Sequence, residues 1–176
     1  KYTDCNDWKN KNGYTNKHAA LLWPQVKVGT KQYAYSAIFG ALTAYTDASN
    51  DDVPNLSPSN KLIGITGLCL EDGTEVTLDQ PQANLLNGQG IITAINDSGW
   101  KSWGNNTACY PANTDPKDRW FSVRRFLSWA ANSFILTYFS KVDSPANKRL
   151  IEAIVDSENV RGNGFVARGV CARYEV

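Results

Sequence analysis

The sequence predicts an α/β or α+β fold, with one small mixed β-sheet packed with about four helices, one of them long and buried near residues 119–140. Three observations carry this. Short apolar runs alternate with segments of helical period. Gly90–Trp103 reads as a hairpin, two apolar runs around a turn signal at Asn96–Gly99. The stretch after Asp118 is apolar nearly all round, with no charge between Arg125 and Lys141, which is the pattern of a buried helix.

In chain order, Lys1–Lys17 is polar and reads as a loop, or as the stump of a removed outer domain (residues 1–18). Residues 19–176 read as a single core domain, and because the chain starts at Lys1 and has no methionine it reads as a fragment or a processed product. Ala19–Trp23 is a buried strand stopped by Pro24, with Gln25–Val28 as its continuation. Tyr33–Ala48 is a helix with Tyr35, Ile38, Leu42 and Tyr45 on one face and small residues beside them, Gly40 marking a tight contact. Asp47–Pro58 is loop chemistry. Its acids do not make an EF-hand, since Asp52 stands where that turn requires glycine.

Leu62–Thr66 reads as a strand, and Leu68–Val76 as another around an Asp72-Gly73 turn. Asp79 caps a short helix with Leu85 and Leu86 inward and Gly88 at its end. The hairpin and the long helix follow, the latter with Trp120, Val123, Leu127, Ala130, Phe134 and Tyr138 at steps of three and four. Ser144 and Pro145 open a further helix, as cap and first residue, with Leu150, Ile151, Ile154 and Val155 on its inner face. Gly162-Asn163-Gly164 stops it, and Phe165, Val166 and Val170 form a last strand.

With 18 basic and 17 acidic residues in 176, the charge is balanced, and there is neither a basic face for nucleic acid nor a membrane-spanning run. The four cysteines lie far apart and read as reduced thiols, with Cys69 and Cys171 packed as small hydrophobes. One histidine, His18, and no clustered ligands exclude a zinc site. There is no phosphate-binding glycine motif, no nucleophile elbow and no acid inside an apolar run, so no catalytic residue, metal or cofactor is expected. Arg124 and Arg125 sit on the first turns of the long helix, where a positive side chain opposes the helix dipole. They are candidates for structural ion pairs. Trp100 and Trp103 with Asn105 and Asn106 leave an alternative open: a carbohydrate-binding module, or an α/β enzyme using the Trp100–Thr107 region. The two tryptophans fall on opposite faces of a strand, which places one of them under the sheet.

An ordered series of pieces resembles the tail sheath proteins of contractile bacteriophage tails, a family that includes the sheaths of R-type bacteriocins and related injection machines. The pieces are Ser57-Pro58-Ser59-Asn60-Lys61, Gln82–Asn87, Gly90–Asp97, Trp103-Gly104-Asn105-Asn106-Thr107 and Phe121-Ser122-Val123-Arg124-Arg125, followed by Leu150-Ile151-Glu152 and Ala167-Arg168-Gly169. The series extends over roughly residues 22–176.

The resemblance implies a non-enzymatic structural subunit. It would stack in six-fold rings of sheath subunits around a tail tube protein, and contract on a signal from the baseplate to drive the tube through a target envelope. It implies a place in the virion tail, a homo-oligomer in the full-length protein, and partners that are neither nucleic acid nor membrane. The tube-facing surface is expected on the polar face of the helix 145–162, through Lys148, Arg149 and Arg161. The resemblance also implies a core domain truncated at both ends, without the arms and outer domains of a sheath subunit, so the chain alone is expected to be a monomer or weak dimer.

Overall fold

The computed structural model describes residues 1–145 and 147–176. In chain order these form α1 (Tyr2–Lys11), β1 (Leu21–Leu22), β2 (Gln25–Val28), β3 (Lys31–Tyr33), α2 (Tyr35–Ala48), β4 (Gly67–Cys69), β5 (Glu75–Val76), α3 (Gln80–Gly88), β6 (Ile91–Asn96), β7 (Trp100–Trp103), the one-turn α4 (Pro116–Arg119), α5 (Phe121–Tyr138) and α6 (Lys148–Ala167). The chain divides into two compact units, Lys1–Ala130 and Ala131–Val176, and the division falls within α5.

The first unit holds two small sheets. One is mixed, in the order β1-β6-β7, with β1 parallel and β7 antiparallel to β6. The other is antiparallel, in the order β3-β2-β4-β5. The α+β class expected from the sequence holds, with the antiparallel sheet standing beside the expected mixed one. Gln25–Val28 does not continue β1. The chain turns at the cis Trp23–Pro24 bond and β2 joins the second sheet.

Strand β6 is covered on both faces, its first five residues all buried, as a continuous apolar run demands. Ile92 and Ala94 join Val26, Tyr35, Phe39, Ile65 and Leu68 in the core, with Trp100 and Phe121 packed against it. The Tyr35 hydroxyl donates to Thr93 O at 2.9 Å and meets Ser102 Oγ at 2.9 Å, so its burial is matched by hydrogen bonds. The β6–β7 turn is the expected one: Ser98 and Gly99 both have positive φ, and Asn96 Oδ1 accepts from Gly99 N at 3.3 Å. Asp79 caps α3 with a full capping box, its Oδ1 2.8 Å from Gln82 N. Of the two leucines expected inward, Leu86 is buried and Leu85 is exposed, since neighbours on a helix are about 100° apart.

Several expectations are corrected. Residues 2–11 are a helix rather than a loop; Lys9, only 3% exposed, reaches inward to the carbonyl oxygens of Gln89 and Tyr110. A polar composition hides such a helix, because a single buried amine anchors it. On α2 the buried stripe is Tyr35, Phe39, Thr43 and Thr46, while Tyr45 is exposed. The two threonines can be buried because their hydroxyls donate back to Phe39 O and Leu42 O. Gly40 faces open space, so no tight contact explains it. Leu62–Thr66 is not a strand. Leu62 makes an isolated bridge to Lys101, and Ile65 is a core residue in an irregular segment.

Helix α5 exists, but the helix expected to run unbroken near 119–140 is interrupted at Trp120, whose backbone is extended and bridges Asn106. Nor is α5 a buried rod. Its buried residues are Ser122, Phe126 and Ala130, and beyond Ala130 it exposes Ile135 and Leu136. A side chain that is apolar by composition stays in water when its own chain supplies no cover.

In the second unit, α6 starts at Lys148 with Asn147 as its cap, Asn147 Oδ1 accepting from Leu150 N at 2.9 Å. Ser144 is not the cap and Pro145 lies before the helix; the expected opening also includes Ala146, outside the described residues. Ile154 and Val155 are half-buried on α6, while Ile151 is exposed. The helix runs through Gly162-Asn163-Gly164 to Ala167, so the expected last strand is its final turn and an irregular segment. Gly169, with φ of +72°, and the bond from Val170 N to Phe165 O at 3.0 Å close it.

Candidate interaction surfaces

The start of α5 is held by the loop that precedes it. Asn105 offers its carbonyl oxygen to Phe121 N at 2.8 Å and its Oδ1 to Ser122 N at 3.2 Å, while its Nδ2 donates to Ser122 Oγ at 3.1 Å. Asn106 donates to Asn87 O at 2.8 Å and accepts from Arg119 Nε at 3.0 Å. Thr107 donates from its hydroxyl to Asp118 O at 2.7 Å. These residues satisfy orphan amides of a helix start and buried polar groups, which is structural work. Trp100 packs on the core, and Trp103, on the other face of β7, donates its indole N–H to Asn84 Oδ1 at 3.0 Å. The polar groups expected to form a sugar platform are thus turned inward.

Arg124 and Arg125 each meet a carboxylate. Arg124 Nη1 is 3.1 Å from Asp118 Oδ1, and Arg125 makes a two-point contact with Asp47 at the end of α2. Asp118 also receives Lys17 Nζ at 3.3 Å and Asn113 Nδ2 at 3.1 Å. Burial raises the Asp118 pKa, but the hydrogen bonds from Arg124 and Lys17 outweigh it and hold the carboxyl below its usual range. Next to it, Arg119 lies over the rings of Tyr110 and Trp120, at 4.0 and 4.3 Å from their centroids. The two arginines therefore meet acids where the dipole alone would disfavour them.

The three residues expected to face the tube do not share one surface. Lys148 and Arg149 are exposed at the start of α6, Lys148 within 3.5 Å of Glu152. Arg161 lies more than three turns further on and is committed inward: its Nη2 is 2.9 Å from Glu158 Oε2, and Glu158 is buried. The Tyr174 hydroxyl joins this pair, 3.4 Å from Glu158 Oε2 and 3.5 Å from Arg161 Nη2. Burial works to lower the Arg161 pKa, but Tyr174 and Glu158 outweigh it and raise the value. Burial and the Glu158 carboxylate together raise the Tyr138 phenol.

Sequence reasoning missed Lys9 and Tyr174, because the partners that make each of them matter are distant in sequence. It also missed the exposed apolar side chains of Ile135, Leu136, Phe139 and Val142, which composition alone assigns to a core. Strand β3 is an edge strand with every residue exposed. Among the described residues no group of three or more His, Cys, Asp or Glu side chains is placed to hold a metal ion, and no helix is long and apolar enough to cross a membrane.

No family model matches the chain. It is 36% identical over 119 residues to the tail sheath protein of Burkholderia phage BcepMu, a match covering 64% of this chain and 24% of that protein. It is 24% identical over 162 residues to the major tail sheath protein of Serratia phage KSP20, covering 89% of this chain and 40% of that one. The chain thus spans well under half the length of these curated relatives. In fold it is similar to a solved sheath complex of an extracellular contractile injection system in its contracted state, with a TM-score of 0.77, 18% identity and coverage of 96% of this chain and 46% of that one. The resemblance read from the sequence pieces is therefore shown: the chain is related to phage tail sheath proteins and shares the fold of a contractile sheath.

Proposed function

We propose that this chain is part of a structural subunit of a contractile tail sheath, which stacks in six-fold rings around an inner tube and contracts to drive the tube through a target envelope. The observation that supports it most is the joint likeness in sequence and fold: 36% identity to a phage tail sheath protein over 64% of the chain, and the sheath fold over 96% of it. The role is mechanical rather than enzymatic. The most polar and aromatic stretch, Trp100–Thr107, uses its side chains to fasten the hairpin to α3 and α5. The partners are further sheath subunits, a tail tube protein and a baseplate, and the place of action is the tail of a phage or prophage-derived particle.

Assembly by packing needs surfaces rather than pockets. The exposed edge of β3 offers main-chain donors and acceptors to an added strand, and Ile135, Leu136 and Phe139 offer apolar area. Lys148 and Arg149 are the cations we assign to the tube side. Arg161 is turned toward Glu158 of the same helix rather than reaching outward. The chain by itself is a monomer or weak dimer, and sedimentation showing stable hexamers would contradict that.

The reading is tested by expressing the full-length parent with its tube protein and imaging the product by electron microscopy. Sleeves around a tube, in which peptides of residues 1–176 are found by mass spectrometry, support it. Tubes that form and remain bare while the parent protein stays in solution overturn it.

A further inference from the structure

Arg119 closes α4, and its surroundings hold the side chain still. The guanidinium lies over the rings of Tyr110 and Trp120, 4.0 and 4.3 Å from their centroids, and its Nε donates to Asn106 Oδ1 at 3.0 Å. The two ring-bearing residues are themselves fixed. Trp120 has extended backbone bridged to the buried Asn106, and the Tyr110 carbonyl accepts from the buried Lys9 amine. An arginine held against two ring faces and by its Nε has given up its rotamer freedom before any ligand arrives.

The stem and the plane are held, but the fork is unused. Among the described residues Nη1 and Nη2 make no hydrogen bond or ion pair, and neither is a buried atom, so both face water. By contrast Arg124, Arg125, Arg161 and Arg173 each meet a carboxylate. The acids next to Arg119 in sequence are already matched, Asp118 by Lys17 and Arg124, and Asp115 by Lys117 at 3.7 Å. The patch thus carries one fixed, uncompensated positive charge beside two half-buried aromatic rings. Two parallel N–H donors in one plane match the two oxygens of a carboxylate. The rings flank them with apolar area, and Arg, Tyr and Trp are the side chains that dominate binding at protein interfaces. A polyanion fits less well, since the chain holds 18 basic against 17 acidic residues and no wider positive field draws one in.

We propose that Arg119, with Tyr110 and Trp120, is a docking point for an acidic peptide segment of a protein partner, whose Asp or Glu carboxylate takes the two Nη atoms. The proposal concerns the first unit alone and stands apart from the sheath reading.

The test is an NMR titration of the isotope-labelled chain with the end-blocked peptide Gly-Ser-Glu-Asp-Glu-Gly. The same peptide with Gln-Asn-Gln in place of its acids is the control, and a short oligothymidylate is the competing polyanion. The acidic peptide is expected to shift the Arg119 Nε–H and Trp120 indole signals saturably. Its affinity is expected to exceed that of the control at least about tenfold, as hydrogen bonds between charged groups allow. Arg119→Ala is expected to lose about tenfold, and Arg119→Lys, which keeps the charge but not the fork, at least about threefold. If Arg119→Ala fails to fold, Arg119→Lys carries the measurement. No saturable shift with the acidic peptide, or equal affinity for the acidic and amide peptides, overturns the site. Undiminished affinity in Arg119→Lys overturns the role of the fork. Tighter binding of the oligothymidylate than of the peptide overturns the carboxylate as the ligand.

Discussion

Arg125 of α5 grips Asp47 of α2 through both guanidinium Nη atoms, across 78 positions of sequence. The bond joins the two helices whose Phe39 and Phe121 rings also meet, 5.3 Å apart. Both charged side chains are less than one-third exposed. Removing one leaves the other partly buried without its partner, so Arg125→Ala or Asp47→Ala is expected to cost about 2 kcal/mol, between the ~1 of an exposed pair and the ~3–5 of a fully buried one. Urea unfolding of the two single variants and the double variant checks this. A double variant no better than the sum of the singles would show that the pair does not act as a unit.

Asp118 makes the first unit sensitive to acid. Its carboxyl is held below its usual range by Arg124 and Lys17 against the effect of burial. A carboxyl whose folded pKa is depressed contributes stability above its unfolded pKa, near 3.8, and loses it as pH falls through the folded value. The unfolding midpoint in denaturant is therefore expected to fall with pH below about 4. Asp118→Asn should flatten that dependence; a pH profile of the variant parallel to that of the unsubstituted chain would remove Asp118 from the account.

Gly90 is the residue on which three segments converge. Its φ is +71°, and a Cβ there would stand 2.4 Å from Tyr110 O, 2.9 Å from Thr107 O and 2.8 Å from Lys9 Nζ. Two of these are backbone atoms that cannot swing away. Gly90→Ala thus adds both left-handed strain and a clash, an expected loss of about 2–4 kcal/mol. It should also loosen α1, whose Lys9 amine binds Gln89 O and Tyr110 O in the same place. Thermal unfolding with hydrogen exchange on Tyr2–Lys11 measures both effects, and α1 protected as before would separate it from Gly90.

What could be read from the sequence was what neighbouring residues decide. The β6–β7 turn at Asn96–Gly99 and the Asp79 capping box are local chemistry, and both stand where they were expected. Features whose cause is tertiary were misread. Gly162 looks like a helix stop, yet it lies within α6 because Tyr174 occupies the room a side chain would fill. Tyr45 shares a face of α2 with Tyr35 by spacing, yet it is exposed, and Thr43 and Thr46 are buried with their hydroxyls bonded back to the helix. Asn105 and Asn106 look like ligand groups, while their partners at Ser122 and Arg119 lie more than a dozen residues away. The sheath resemblance was legible because it rests on the order of many short pieces. The buried rod was not, because apolar composition does not say which chain supplies the cover.

That last point leads to a prediction about α5. Leu136 is 77% exposed and Phe139 68% exposed, on a stretch that carries no charge before Lys141. Exposed positions contribute little to folding, so Leu136→Asp should change the stability of the isolated chain by no more than about 1 kcal/mol, mostly through helix propensity. On the proposed sheath reading, the same side chain packs against a neighbouring subunit. There a carboxylate must be desolvated without a partner, at several kcal/mol for each copy. Introduced into the full-length parent, Leu136→Asp is therefore expected to leave thermal unfolding of the subunit nearly unchanged and to abolish sleeves in electron micrographs, with Leu136→Ala intermediate. Sleeves formed by Leu136→Asp in the same number as by the unsubstituted protein would show that this face stays in water in the assembly, and the exposed half of α5 would need another explanation.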